Sequence, residues 1–461
     1  MCEASFRVSF TAFQTTSCYL QLESQLVRYE FASSFFFLSI AVSCHALSRL
    51  CLNECHVEQP YYNRNAFPSS FSACRDIKMH RSALIGIIVK LFLGSLNYFA
   101  ARAMNKTCDY PRYDVTEPEK DCLVGQAPFQ KAFFIVFCTF FSLSISMIIF
   151  LVFRKKKVDP EPYKNKRNYL LMMIPATAEA VAFCMSISAQ AIMALSLAMI
   201  MKGGKVIFSA LFTVLIFRKP LPWFKWFGVA ACIAGLAIAG SSEYMKVSDS
   251  KDSATMMLIG LSLSVASEAL FAFQVIFDEK MMKVKKCDQT FVIGMEGIYG
   301  MMVVMPIVLI AWLAIPGKQN GAYEDLSDTF YRISRSGIII GLLSYYLVGV
   351  FVHAIADSTI TKYLSGVHSS LVSVGRTLVV WILELVLFYS LPAPYNSQYG
   401  QEWSSPWSYV KIVGFTIVVA SIFVYDGSLR VPGFDYSSID KKNLESKTSV
   451  LPETVPTTPS K

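Results

Sequence analysis

The 461 residues are 54% hydrophobic and only 16% charged, and their mean hydropathy is +0.45. A chain of this size with so few polar residues cannot cover its own core in water, which excludes a soluble globular protein. The net charge of +9 is spread over short loops rather than gathered with aromatic residues on a soluble module, which excludes a nucleic-acid-binding protein. The sequence therefore predicts an all-α membrane protein.

The first 78 residues are rich in cysteine and precede the first long apolar segment. One apolar run, residues 31–47, is short for a membrane span and is compatible with either a signal-like segment or an additional helix. Arg75 and Lys78 already favour a cytosolic position for the end of this region, and Met79 would be a natural start of translation. We therefore expect residues 1–78 to be disordered or absent from the mature protein.

Ten apolar windows follow. A helix needs about 20 mostly apolar residues to cross a bilayer, because each adds about 1.5 Å against a hydrocarbon core of about 30 Å. The windows are residues 84–101, 132–153, 169–188, 194–217, 223–240, 254–277, 291–315, 338–356, 366–389 and 410–425. The sequence thus predicts ten transmembrane helices.

The loops between these windows predict the orientation. Residues 154–167 and 280–286 are strongly basic, and Arg218 and Lys219 lie in the loop between them. Residues 392–409, on the opposite side, contain no Lys or Arg. By the positive-inside rule the basic loops face the cytosol, and both ends of the ten-helix unit are cytosolic.

The first loop on the opposite side contains Cys108 and Cys122, and Asn105 begins an Asn-Lys-Thr glycosylation sequon. A disulfide between the two cysteines is allowed in a lumenal compartment. The other cysteines have no metal-ligand spacing, so we expect neither a metal site nor a cofactor.

An internal repeat relates two parts of the chain. Aligning residues 202–217 with 373–388 places Lys205 over Arg376. These segments are five helices apart, and an odd separation inserts the second copy upside down, the inverted-repeat plan of many secondary transporters. The predicted units are a first five-helix repeat at 79–240, a second at 241–427, and a disordered cytosolic tail at 428–461.

Three cations fall inside the predicted spans. Lys205 and Arg376 lie near the middle of their windows, and Lys202 shares a helix face with Lys205 at a spacing of three residues. A charge at mid-bilayer costs several kcal/mol unless it faces a partner or a water-filled cavity. Together they predict a substrate site for phosphate or carboxylate groups, where Arg376 can bind with two parallel hydrogen bonds.

The alternative is that these cations pair with acidic residues of the protein. Four carboxyl groups lie within the predicted spans, namely Glu179, Glu268, Glu296 and Glu384. A bridge between helices would neutralise both charges without any substrate. We expect Glu179 to orient a lysine or to relay a proton, and Glu268 and Glu384 to serve in pairing or proton transfer.

The tail contains Tyr436-Ser437-Ser438-Ile439, in which Tyr436 and Ile439 fit the tyrosine-x-x-apolar sorting signal read by clathrin adaptors. The alternative is a chance match in a tail of this composition. As a signal, the motif predicts an internal membrane, either lysosomal and endosomal or Golgi.

Several stretches resemble a known family. Residues 199–215, MIMKGGKVIFSALFTVL, resemble helix four of nucleotide-sugar transporters in the drug/metabolite transporter superfamily. Subfamily F of solute carrier family 35 is similar at IFDEK (276–280), GMEGIYG (294–300), TKYLS (361–365) and GRTLVVW (375–381). The resemblance covers residues 82–427.

The resemblance implies the ten-helix drug/metabolite transporter fold and a phosphate contact at Lys205. It also implies a substrate contact at Ser369, where established nucleotide-sugar carriers have a second lysine. The chain departs from the subfamily pattern, which has an arginine where Lys202 stands and an apolar residue where Lys205 stands.

The function expected from the sequence is secondary transport of a polar, anionic, nucleotide-sugar-like metabolite by alternating access. No GxxxxGK[ST] loop for ATP hydrolysis and no Ser-His, paired-Asp or HExxH arrangement occurs, so we do not expect an enzyme. The expected partners are a small-molecule substrate, the bilayer, clathrin adaptors and a second copy in a homodimer. The alternative is a non-transporting membrane scaffold that recruits partners through its tail.

Overall fold

The computed structural model describes residues 69–113, 115, 122–157, 161–192, 201–218, 220–244, 254–392 and 399–437. The helices of the bundle are α1 (Ser69–Lys106), α2 (Ala132–Lys157), α3 (Lys166–Ile192), α4 (Gly204–Phe217), α5 (Trp223–Tyr244), α6 (Ala254–Lys283), α7 (Gln289–Leu313), α8 (Gly337–Tyr363), α9 (Gly366–Ser390) and α10 (Trp407–Asp426). The connections contain short helices at Glu161–Lys164 and Leu326–Arg335 and the strands β1 (Cys108–Asp109), β2 (Ala127–Pro128) and β3 (Pro316–Gln319).

Nine of these helices are long and apolar enough to cross a membrane, within the part of the chain that the structure describes. The exception is α4, which is apolar but has only 14 residues. Part of its predicted window, residues 193–200, lies outside the described residues. The protein is therefore a multi-pass α-helical membrane protein.

The first helix begins before the predicted start of the membrane unit. It is continuous from Ser69 to Lys106, so the last ten residues of the predicted extension 1–78 belong to α1. No proline interrupts this stretch, and a helix continues until a breaker or a cap ends it. Residues 1–68 lie outside the described part of the chain.

The helices pack as pairs between the two halves of the chain. The main contacts join α1 to α8, α3 to α6, α2 to α7 and α5 to α10; in addition, α4 packs on α6, α9 on α1, α3 on α7 and α2 on α8. Exchanging each helix with the one five positions away in the chain leaves this set of eight contacts unchanged. Glycines allow the close approach: a Cβ atom at Gly235 of α5 would lie 2.7 Å from the carbonyl oxygen of Gly414 of α10.

One end of the bundle, which we call the disulfide end, is closed by the connections before α2 and after α7. Cys108 and Cys122 form a disulfide there, with 5.6 Å between their Cα atoms. The Glu324 carboxylate accepts hydrogen bonds from the backbone amides of Phe133 and Phe134 at 2.9 and 2.8 Å, which caps the start of α2. Burial raises the pKa of Glu324, and these two hydrogen bonds oppose the increase.

A buried ion network joins the same connections. Lys131 Nζ lies 2.9 Å from Asp328 Oδ2, and the Arg332 guanidinium lies 3.7 Å from the same oxygen. Arg332 also donates to the carbonyl oxygens of Ala127 and Pro128. The network therefore ties the short helix Leu326–Arg335 to β2 and to the start of α2.

At the other end, which we call the basic end, the chain after α10 folds back on α5. Tyr436 is only 8% exposed, its ring centroid lies 4.7 Å from that of Phe224, and its hydroxyl accepts a hydrogen bond from the Val431 amide. Phe434 packs on Phe227 in the same way. The predicted disorder from residue 428 therefore does not extend to Phe434 and Tyr436, whose aromatic rings pack against the apolar end of α5. Ile439 lies outside the described residues.

Replacing Asp328 with Asn should destabilise the disulfide end. The substitution leaves Lys131 and Arg332 buried without a countercharge, a loss of about 3–5 kcal/mol of unfolding free energy. We expect a clear fall in the melting temperature of the purified protein. Glu402→Gln, an exposed change near the same end, is the control and should leave it unchanged. Equal melting temperatures for the two variants would refute the assigned role of the network.

Candidate functional site

Lys205 lies in the first turn of α4, and Lys202 lies in the turn that precedes this helix. Both are half-buried, and their ammonium groups lie 5.8 Å from the centroid of the Tyr98 ring and 5.7 Å from that of Phe271. Neither lysine has a carboxylate within salt-bridge distance among the described residues. Each cation therefore stands beside an aromatic face and lacks an ion-pair partner.

Arg376, on α9, completes a group of three cations. It is close enough to Lys202 for the two charges to repel each other, and it also faces Tyr98. Within the described part of the chain its guanidinium has neither an ion pair nor a hydrogen bond. The structure thus brings the three predicted cations together, and we call Lys202, Lys205 and Arg376 the central cations.

Glu268, on α6, is the carboxyl group that faces all three central cations. It is 7% exposed and does not come within 4.0 Å of any of them. Glu179, on α3, faces Lys205 from another side and faces Glu296 as well. The predicted pairing residues therefore lower the positive charge of the site, but they do not bind the cations directly.

A fourth cation, Lys90 of α1, is paired. Its ammonium group is 1% exposed and donates to the Asp357 carboxylate, to the Ser369 carbonyl oxygen at 2.7 Å and to the Ser369 hydroxyl at 2.8 Å. The Ser369 hydroxyl in turn donates to Asp357. Lys90 has three N–H donors, and these three acceptors use all of them.

This network changes the role expected for Ser369. The hydroxyl group is fully buried and engaged by Lys90 and Asp357, so it supports the site and does not face its interior. Asp357 keeps 26% of its side chain exposed and faces Lys205. At the position where the resemblance implied a substrate contact, the structure places the ammonium group of Lys90 against Ser369.

Sequence reasoning missed Lys90 and Asp357. Lys90 lies well inside the first apolar window, 84–101, and the rule that singled out Lys205 applies to it equally. Asp357 was missed because it follows the end of the eighth window by one residue. Their pairing joins α1 to α8, and no local pattern predicts that contact.

The remaining predicted residues lie toward the disulfide end. Glu384 accepts a hydrogen bond from Arg102 at 2.7 Å, which places it in an ion pair away from the central cations. Asn105 is in the last turn of α1 with its side-chain oxygen buried, and Thr107 is buried beside it. A glycan on Asn105 would need this turn to open, so glycosylation stays a prediction.

The chain resembles known transporters at the level of sequence. Residues 126–241 match the model of the EamA-like transporter family, a segment that contains Glu179, Lys202 and Lys205. Solute carrier family 35 member F6 of Pongo abelii is 25% identical over 279 residues, 59% of this chain and 70% of the relative. Its Mus musculus counterpart is 24% identical over 268 residues, 57% and 68% of the two chains. This chain is similar to members of solute carrier family 35. The resemblance seen in the sequence motifs is confirmed.

A third relative is an uncharacterized protein of Schizosaccharomyces pombe, which is 22% identical over 282 residues, 60% of this chain and 79% of the relative. Solute carrier family 35 and the EamA-like family are described as carriers and transporters. With the apolar helices of the bundle, these likenesses describe a multi-pass membrane protein that is similar to transporters.

Replacing Asp357 with Asn should destabilise the protein, because it leaves the Lys90 ammonium group buried without a countercharge. We expect a loss of about 3–5 kcal/mol, and the double variant Lys90→Gln, Asp357→Asn should recover most of it. Melting temperatures of the purified variants measure both effects. The control is Lys318→Gln, which removes an exposed lysine and should change the stability by less than about 0.5 kcal/mol. A double variant no more stable than Asp357→Asn would contradict the pairing.

Proposed function

We propose that the chain is a secondary transporter of a polar, anionic small metabolite. The observation that carries this proposal is the group of three central cations inside the bundle, none of which has an ion-pair partner among the described residues. Keeping an unpaired charge in a membrane bundle costs several kcal/mol unless a cavity or a ligand solvates it. Phosphate and carboxylate groups are the ligands that fit this charge.

The aromatic residues beside the lysines narrow the class of ligand that the site would bind. Tyr98 and Phe271 each lie beside one of the lysines, so an apolar ring face and a cation are available within the same site. A nucleotide offers both matching features, a base that stacks on an aromatic side chain and a phosphate that binds the cations. The preferred substrate class is therefore nucleotide-sugar-like.

Alternating access between two inverted five-helix repeats is the mechanism that we propose. The set of helix contacts that is unchanged when each helix is exchanged with the one five positions away supports this plan. Lys205 on α4 and Arg376 on α9 occupy corresponding helices of the two halves. In this arrangement the central site lies between the repeats, and their relative movement opens it to one side at a time.

The alternative is a membrane scaffold that recruits partners through its tail. A scaffold has no use for three unpaired cations in its interior, since apolar side chains there would be more stable. The packing of Tyr436 on Phe224 also withdraws part of the tail from partners. We therefore favour the transporter.

Binding should be found by thermal shift with a panel of anions. The panel contains inorganic phosphate, nucleoside monophosphates, nucleotide sugars, sugar phosphates and dicarboxylates, with the matching neutral nucleosides and sugars as controls. A ligand that binds the folded state raises its melting temperature. Stabilisation by at least one anion and not by its neutral counterpart is expected, whereas a panel without effect would contradict the anion site.

Lys205→Gln and Arg376→Gln should weaken the binding of that anion about tenfold to hundredfold each, because each removes a charge-assisted hydrogen bond. Arg376→Lys should also weaken it, since an ammonium group cannot reproduce the planar guanidinium. The melting temperature without ligand should not fall, because neither side chain has an ion-pair partner to strand. Lys318→Gln, an exposed change of the same charge, is the control. Normal binding with lost stability would assign these cations to a structural role.

The proposed orientation places the basic end in the cytosol and the disulfide end in the lumen of an internal membrane. Labels added to the cytosolic face of sealed vesicles should reach loop 158–165 and the tail, but not residues 314–325. A disulfide in the α1–α2 connection fits a lumenal compartment. One labelled position on the reversed side would overturn the topology.

Sorting by the tail remains a proposal, in which clathrin adaptors read Tyr436 and Ile439. Because Tyr436 is packed on Phe224, Tyr436→Ala would disturb the fold as well as the signal. Ile439→Ala keeps the tyrosine in place and should move the protein from endosomes and lysosomes toward the plasma membrane. Unchanged localisation by microscopy would remove the motif from the account.

A further inference from the structure

Two carboxyl groups lie against each other in the interior of the bundle. Asp278 of α6 and Glu296 of α7 are each 5% exposed. The amide nitrogen of Gln274 donates to Asp278 Oδ2 at 2.5 Å and to Glu296 Oε1 at 2.7 Å. One nitrogen therefore holds oxygen atoms of both groups, and we call Asp278 and Glu296 the carboxyl pair.

The closeness of the two groups favours a proton between them. Gln274 Nε2 donates to an oxygen atom of each group, so the two carboxyl groups are near neighbours. Two carboxylates that share a buried site repel each other when both are ionised, and one proton removes this repulsion. Asp278 Oδ1 is buried and has no hydrogen-bond donor, which disfavours the ionised form of this group as well.

No cation neutralises the carboxyl pair within the described part of the chain. Asp357 of α8 faces it but is already paired with Lys90. Glu179 of α3 faces it too, and the buried oxygen Oε2 of Glu179 has no hydrogen-bond partner. The groups that face the pair from neighbouring helices therefore add negative charge.

The contacts that the described residues of α2 and α9 make with α6 and α7 in this region come from uncharged groups. Met147, Ser144 and Phe140 of α2 pack on the glycines of α7, and Gly366 of α9 packs on Ile276. Lys205 of α4 faces Glu179. Because no cation among the described residues pairs with Asp278 or Glu296, a proton is the group that can neutralise one of them.

We propose that Asp278 and Glu296 share one proton at neutral pH and form the site that couples transport to a proton gradient. Glu179 connects this site to the central cations, since it faces Glu296 on one side and Lys205 on the other. When a proton moves from the pair to Glu179, the Glu179 carboxyl group becomes neutral. It then no longer competes with the substrate anion for Lys205, so anion binding is favoured. The pair then regains a proton from the solvent when the helices part. The shared proton does not depend on the transporter proposal, whereas its role in coupling rests on the proposed function.

Infrared spectroscopy of the purified full-length protein tests the proton directly. A protonated carboxyl group absorbs at higher frequency than a carboxylate, and its band shifts in heavy water. The wild type should show this band at neutral pH, and Glu296→Gln and Asp278→Asn should each remove it or shift it. Glu402→Gln, which removes an exposed and ionised carboxylate, should leave it unchanged. A wild-type spectrum without the band at neutral pH, or a band insensitive to both pair variants, would overturn the shared proton.

Stability gives a second and independent test. An amide resembles a neutral carboxyl group, so Glu296→Gln should keep the melting temperature near that of the wild type, whereas Asp357→Asn, at an ionised and paired carboxylate, should lower it. Equal losses in the two variants would show that Glu296 is ionised and would overturn the proposal.

The coupling role is tested in proteoliposomes with the anion that the thermal-shift panel identifies. An imposed pH gradient should accelerate uptake in the wild type and lose its effect in Glu296→Gln. Uptake that ignores the gradient in the wild type would overturn the coupling role while leaving the transporter proposal intact. Failure of every anion to bind or enter would instead overturn the transporter proposal.

Discussion

Lys90 is enclosed between α1, α8 and α9, and its three hydrogen bonds to Asp357 and Ser369 join these helices at one point. A buried ammonium group tolerates that position only when every donor has a partner, so the pair fixes where the three helices meet. Arg376 lies two turns beyond Ser369 on α9, and its position is set by the same contact. The arrangement of the site therefore depends on a charge pair that does not itself bind substrate.

The ionisable groups inside the bundle fall into three classes, according to what compensates their charge. Lys90 and Asp357 are ionised and paired, the central cations lack ion-pair partners among the described residues, and the carboxyl pair is in contact without a cation. Each class costs free energy in an apolar bundle unless something compensates it. The protein supplies the compensation in the first case, and we propose that an anion and a proton supply it in the other two.

Much of the membrane architecture was predictable because apolar windows and basic loops are local features of the sequence. The windows coincide closely with nine of the helices, and the central cations stood out because charge inside an apolar window is rare. The contacts of Lys90, Asp357 and Tyr436 were not predictable, since each depends on a partner far away in the chain. Tyr436 shows the limit most clearly: the composition of the tail indicated disorder, but the rings of Phe434 and Tyr436 pack against α5.

The central claim is that the three cations form the anion site of a carrier, and uptake into proteoliposomes tests it most directly. The full chain is reconstituted and loaded with the anion that stabilises it, and exchange for the same labelled compound outside is followed over time. We expect saturable exchange that is lost in Lys205→Gln and Arg376→Gln and kept in Lys318→Gln. Exchange that persists unchanged in both cation variants, or no exchange of any binding anion by the wild type, would contradict it.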